Sequence, residues 1–150
     1  MSVVVESQDG LAQTVTVGEH QLVADEPVDA GGKDAGPGPY DLLLSALGTC
    51  TSMTITLYAR RKKWPLEGVR VELDHSRVHV RDCEQCDDGE CDDAEKTRLE
   101  YIRKRVTVRG PLSEEQRAKL AEISTRCPVE RTLLGNIRID GEVKLAATTP

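Results

Sequence analysis

Apolar and polar positions alternate in three short stretches at the start of the chain, and that alternation predicts strands. Ser2–Ser7 holds a valine cluster, Gln13–Val17 alternates Thr and Val, and Gln21–Ala24 is a third short run. Asp9-Gly10 and Gly18-Glu19 supply the turns of a meander, and residues 25–39, rich in Gly, Pro and Asp, read as loop. From Pro39 or Tyr40 the period becomes helical, because proline suits a first turn. Leu43, Leu47, Cys50, Thr54 and Leu57 share one face, with Leu42, Ala46, Thr49 and Met53 beside them. Apolar or small residues thus surround most of this helix, which predicts burial in the middle of the molecule or at a subunit interface. Trp64-Pro65 stops it, and Arg60, Arg61, Lys62 and Lys63 complement its dipole. No charged residue occurs from Leu42 to Ala59, but the many Ser and Thr residues favour a buried central helix over a membrane span.

The period then returns to two. Gly68–Val80 predicts one long strand, with Val69, Val71 and Leu73 followed in phase by His75, Arg77 and His79. Asp82–Glu95 carries eight acidic residues and no basic one, and reads as loop. Leu99–Arg109 is the return strand, with Arg103, Lys104, Arg105 and Arg109 assigned to its solvated side. Ser113, followed by Glu114, Glu115 and Gln116, has the capping-box pattern and opens a second helix. Leu120, Ile123 and Cys127 form its apolar side. Pro128 interrupts it, and Val129–Leu134 starts a further turn. Asn136–Leu145 is expected to be a closing strand with Ile137, Ile139 and Val143 in the core, and Ala146–Pro150 to be loose.

Composition narrows the classes. The 150 residues favour one domain, 1–150. A hydrophobic share of 38% with 31% charged residues suits a soluble globular chain. Phe does not occur, so Leu, Val, Ile, Ala and Thr must build the core. A net charge of -6 argues against a nucleic-acid or anionic-membrane surface. The N-terminus has no basic region ahead of an apolar run, so a cytoplasmic location is expected, where thiols stay reduced.

Five cysteines cannot all pair within one chain. If Cys127 caps the helix that Pro128 opens, unpaired backbone N–H groups face its sulfur and favour a thiolate, and Arg126 and Arg131 could add positive charge. A small buried cysteine at a helix junction is the alternative. Cys50 sits mid-helix among leucines; it is either core or a thiol activated from elsewhere. His79, Cys83, Cys86 and Cys91 have ligand types and spacing that suit zinc, though only one strict Cys-x2-Cys pair is present, and a solvated acidic loop with incidental thiols is the alternative. His20 and His75 read as surface residues. No dinucleotide or Walker pattern occurs.

Asp25-Glu26-Pro27, Gly31-Gly32 and the run Gly36-Pro37-Gly38-Pro39-Tyr40-Asp41-Leu42-Leu43-Leu44-Ser45-Ala46-Leu47-Gly48-Thr49-Cys50-Thr51 resemble the osmotically inducible protein C and organic hydroperoxide resistance (OsmC/Ohr) superfamily. Cys127-Pro128-Val129 followed by Asn136-Ile137 resembles its second cysteine motif, and Tyr58-Ala59 with Trp64-Pro65-Leu66 its OsmC-like branch. The resemblance implies an α+β, OsmC-like fold: two central buried helices wrapped by antiparallel β-sheets, in an intertwined homodimer. It implies a thiol peroxidase acting on organic hydroperoxides, with Cys50 oxidised to a sulfenic acid, Cys127 closing a Cys50–Cys127 disulfide, a dithiol as reductant and no required cofactor. Ohr-type members use an Arg from the N-terminal strands and a Glu ten residues before the first cysteine. Here Tyr40 holds that Glu position with Asp41 next to it, and no Arg precedes Arg60. Asp41, Arg126 and Arg131 are therefore the candidates for the missing activating groups. The alternative function is a non-enzymatic OsmC-like module that binds a small apolar ligand, or zinc at the Cys83–Cys91 loop.

Overall fold

A computed structural model describes residues 2–79 and 98–144. The order of elements is β1 (Val4–Ser7), β2 (Gln13–Val17), β3 (His20–Ala24), a 3-10 turn (Val28–Ala30), α1 (Pro39–Lys62), β4 (Gly68–His79), β5 (Arg98–Arg109), α2 (Glu114–Ser124) and α3 (Pro128–Leu133). β1, β2 and β3 form an antiparallel meander, and β4 and β5 form a long antiparallel hairpin in a second sheet. In the hairpin Gly68 pairs with Arg109, and the register runs unbroken through Leu73–Lys104 to His79–Arg98.

The loop before α1 is built around one carboxylate. Asp25 is 3% exposed. Its Oδ1 accepts from the Glu26 amide at 2.9 Å, and its Oδ2 accepts from the amides of Lys33 at 2.9 Å and Ala35 at 3.2 Å. A Gly-rich stretch with no regular ladder of its own needs such an acceptor for its buried N–H groups. The chain passes so close to β3 that a Cβ on Gly36 would sit 2.1 Å from the Val23 carbonyl oxygen, which only glycine permits. At the far end of the loop Asp41 Oδ2 accepts from the Gly38 amide at 3.0 Å, and Pro39 takes the first helical position.

α1 packs one face on the hairpin and on α2. Leu47, Gly48, Thr51, Ile55 and Ala59 are its buried residues. Ile55, Ala59, Leu112 and Leu120 form the central cluster, with Trp64, Leu66, Val69, Val106 and Val108 packed around it. Burying a side chain such as Ile55 or Leu120 contributes about 1.5–3 kcal/mol each. Gly48 lets the helix approach β4, since a Cβ there would meet the Leu73 side chain at 2.8 Å. α2 opens with the expected capping box: the Gln116 amide donates to Ser113 Oγ at 3.2 Å, and the Ser113 amide to Gln116 Oε1 at 3.0 Å.

One expectation is met in part and another needs correction. The chain covers only one side of α1, and Leu43, Met53 and Leu57 are exposed. By length and composition the helix would also suit a membrane. Its packed face, however, sets Gly48 against β4 and places Ile55 and Ala59 in the central cluster, as a core helix does. The expected closing strand is not formed: residues 136–144 hold no regular element, and Ile137, Ile139 and Val143 are exposed. A strand needs a neighbour to accept its hydrogen bonds, and among the described residues no segment pairs with this one.

The three amide hydrogen bonds, that from Lys33 first, hold the Asp25 carboxyl below the usual aspartate range despite its burial. A depressed folded value means stability that is present above the unfolded value and lost as pH falls through the folded one. Asp25→Ala should therefore lower the thermal midpoint at neutral pH. The gap to the native protein should close below about pH 4; a gap that stays constant down to pH 2 would refute this role.

Candidate functional site: a pair of thiols at a helix junction

α2 ends at Ser124, the chain turns through Thr125 and Arg126, and α3 restarts at Pro128 with Cys127 as its N-cap. Proline has no N–H to lose at the first helical position, and its fixed φ favours the restart. The Glu130 amide donates to Cys127 Sγ at 3.5 Å. Cys127 is fully buried, and its sulfur lies 4.0 Å from the Leu47 carbonyl oxygen, one turn before Cys50 on α1. Cys50 is half-buried, and both thiols are free.

The two sulfurs share an electrostatic environment but are not equivalent. Burial opposes ionisation of Cys127, yet the hydrogen bond from Cys50, the Glu130 amide, the Thr51 hydroxyl and the Val129 amide outweigh it and hold this thiol below the ordinary value. For Cys50 the balance is reversed. Burial pushes it up, the hydrogen bond and the charge of Cys127 add to that, and the Val129 amide and Thr54 hydroxyl only partly offset them. The pair titrates as a unit, and the first proton it gives up is that of Cys127.

The other candidates fall as follows. Asp41 caps α1 and borders a groove between α1 and β4 of about 600 Å³, lined also by Leu44, Gly48, Ser52 and Leu73. That groove does not face the thiols, since Cys50 lies about 160° around the helix from Gly48 and Ser52. Arg126 pairs with Glu122, and Arg131 is exposed. Among the described residues no hydrogen bond or ion pair joins either to a sulfur. Tyr40, at the position where Glu was expected, stacks on His75 with ring centroids 4.3 Å apart. His75 is not the bare surface residue expected: its Nε2 lies 2.6 Å from Glu100 Oε2, and Arg77 Nε donates to Glu100 Oε1 at 2.7 Å. The side chain of His79, and Cys83, Cys86 and Cys91, lie outside the described residues; within the described residues no three His, Cys, Asp or Glu side chains cluster to hold a metal.

Sequence reasoning missed Lys104. It was assigned to the solvated side of the strand, but its Nζ donates to the Ser124 carbonyl at 3.0 Å and to the Glu130 carboxylate. The signal was available in the phase of the strand. Arg103, Arg105, Thr107 and Arg109 are exposed, whereas Lys104 shares the inner side with Ile102, Val106 and Val108.

Replacing Cys127 with Ser leaves the burial that raises Cys50 but removes the thiol whose hydrogen bond and charge add to it. Alkylation of Cys50 by iodoacetamide, followed on its own peptide by mass spectrometry, should then have its pH midpoint lowered. An unchanged or higher midpoint would show that the two sulfurs are not coupled.

The comparisons agree with this architecture. No curated protein matches the chain. An OsmC-like protein from Mycoplasma pneumoniae superposes with a TM-score of 0.69 at 21% identity, covering 89% of this chain and 86% of that one. An organic hydroperoxide resistance protein OsmC from Legionella pneumophila gives 0.61 at 20% identity, covering 91% of each chain. An organic hydroperoxide resistance protein from Elizabethkingia anophelis gives 0.60 at 14% identity, covering 91% of this chain and 90% of that one. The α+β arrangement of two sheets and helices is that of these structures. The family described as OsmC-like protein matches residues 31–142, which take in both cysteines and the helices that carry them, and the chain belongs to that family.

Proposed function

We propose that the protein is a thiol-dependent peroxidase that reduces organic hydroperoxides through Cys50 and Cys127. The observation that carries this reading is the meeting of two free thiols from distant parts of the chain, one reachable and one buried beneath helix amides. Membership of a family whose structures include organic hydroperoxide resistance proteins supports a redox role of this class.

The chemistry follows from the uneven pair. The Cys127 thiolate takes the proton of Cys50 as the peroxide arrives. The Cys50 thiolate attacks the O–O bond; the near oxygen becomes its sulfenic acid, and the leaving alkoxide takes the proton from Cys127 to become the alcohol. The restored Cys127 thiolate attacks the sulfenic sulfur, closing the disulfide and expelling hydroxide. A dithiol reductant returns both sulfurs to the starting state. Cys127 thus serves as base and as resolving nucleophile, a role that needs neither Arg126 nor Arg131.

The protein works as a homodimer in this reading. Ala46, Cys50, Met53 and Leu57 follow one another at helical spacing on the side of α1 that the chain leaves open, Met53 at 60% and Leu57 at 50% exposed. The valines of β1 and Ile137, Ile139 and Val143 are uncovered as well. A second copy supplies complementary surfaces of the same kind, as an isologous interface requires. It would also close the solvent side of Cys50.

With cumene hydroperoxide and a dithiol reductant, Cys50→Ser should abolish turnover. Cys127→Ser should stop at the Cys50 sulfenic acid and form it about 10²-fold more slowly, because the thiol that protonates the leaving alkoxide is lost even though Cys50 ionises more readily. Undiminished turnover by Cys50→Ser would sink the assignment, and a sulfenic acid on Cys127 in that variant would reverse the roles. Met53→Asp places a charge in the open α1 stripe and should convert the dimer to monomer in light scattering; a native protein that is already monomeric at micromolar concentration would refute the dimer.

A further inference from the structure

Lys104 is a cation on the inner side of a strand, in a layer otherwise made of Ile102, Val106 and Val108. Its side chain is 15% exposed, and that of its partner Glu130 is 20% exposed. Its two acceptors lie on either side of Cys127. Ser124, whose carbonyl it reaches, ends α2, and Glu130 stands in the first turn of α3. The backbone amide of that same Glu130 donates to Cys127 Sγ. One ammonium therefore ties together the two helix ends between which the sulfur sits.

We propose that Lys104 is a positioning residue for Cys127: it holds the α2–α3 junction so that the α3 amides face the sulfur, and it neutralises the Glu130 carboxylate that would otherwise stand unpaired beside it. The charged and titratable groups turned toward this junction are Cys50 from α1, Lys104 from β5 and Glu130 from α3. Arg126 is drawn outward to Glu122, and Arg131 is exposed. In a half-buried place a charge that loses its partner acts strongly on its neighbours, because little water screens it. The pair thus acts on Cys127 through two opposed charges. The step it serves rests on the proposed peroxidase reading; the ionisation it controls does not.

The two halves of the pair give opposite signs. Lys104→Met leaves the Glu130 carboxylate unpaired and disfavours a second negative charge. Glu130→Gln keeps the shape of the side chain but leaves Lys104 unpaired and favours the thiolate. The Cβ chemical shift of Cys127 in cysteine-labelled full-length protein, assigned by its loss in Cys127→Ser, reads the ionisation midpoint directly. Lys104→Met should raise that midpoint and Glu130→Gln should lower it, each by about one pH unit, or about tenfold in thiolate fraction at fixed pH. Lys104→Arg should restore the native value.

A merely structural clamp would move both variants the same way, and that result, or no movement in Glu130→Gln, overturns the proposal. Should Lys104→Met fail to fold, the sign of the Glu130→Gln shift and the Lys104→Arg rescue still decide it. Peroxide turnover measured on the same samples separates the two readings. Opposed shifts in a native protein that consumes no peroxide would uphold the positioning role while the peroxidase reading falls.

Discussion

Everything at this site depends on how closely α1 packs against the β4–β5 hairpin. Gly48 sets that distance by presenting no side chain to Leu73. The face so buried, Leu47 through Ala59, leaves Cys50 at its margin, and the hairpin carries Lys104 inward on the same side. The rest follows by geometry. α2 packs on α1 through Leu120, its end delivers Cys127 to the Leu47 carbonyl, and Pro128 restarts the chain so that new amides point back at the sulfur. A pair of thiols from positions 50 and 127 is thereby assembled by a hydrophobic contact rather than by local sequence.

The division of labour between the sulfurs is set by what each helix can offer. In the interior of α1 every amide already has a partner, so Cys50 gains little from its own helix. The start of α3 has amides to spare, so Cys127 receives them. The same covalent group is therefore a proton holder in one place and a charge holder in the other. Access runs the other way, since Cys50 is the half-buried member and Cys127 the fully buried one. In the proposed peroxidase reading this sets a base beneath an attacker, and it needs no guanidinium in contact with either sulfur.

Much of this was legible in the chain. The helical period from Pro39, the stop at Trp64-Pro65, the Ser113 capping box and the Cys127-Pro128 restart are local signals, and local signals survive folding. What could not be read was whatever depends on a neighbour. The alternation of Asn136–Leu145 is strand-like, yet residues 136–144 form no strand without another segment to pair with. The composition of α1 predicts burial of most of its surface, but composition does not say whose atoms cover it. Lys104 was placed in solvent by its residue type, although its phase with Val106 and Val108 pointed inward. His75 reads as a surface residue for the same reason, and the stacking of Tyr40 from α1 together with the Glu100 contact shows it to be held. Type misled where position, read strictly, would have informed.

The unequal acidity of the two sulfurs has an electrochemical consequence. At a pH between their two ionisations, joining them into a disulfide removes two electrons but only one proton from the pair, and reduction restores the same. The midpoint potential of such a couple falls by about 30 mV per pH unit, half the slope of two ordinary protonated thiols. The couple keeps its driving force more nearly constant as acidity changes. It does so because the amides at the start of α3 favour early loss of the proton that an ordinary Cys127 thiol would release only on oxidation.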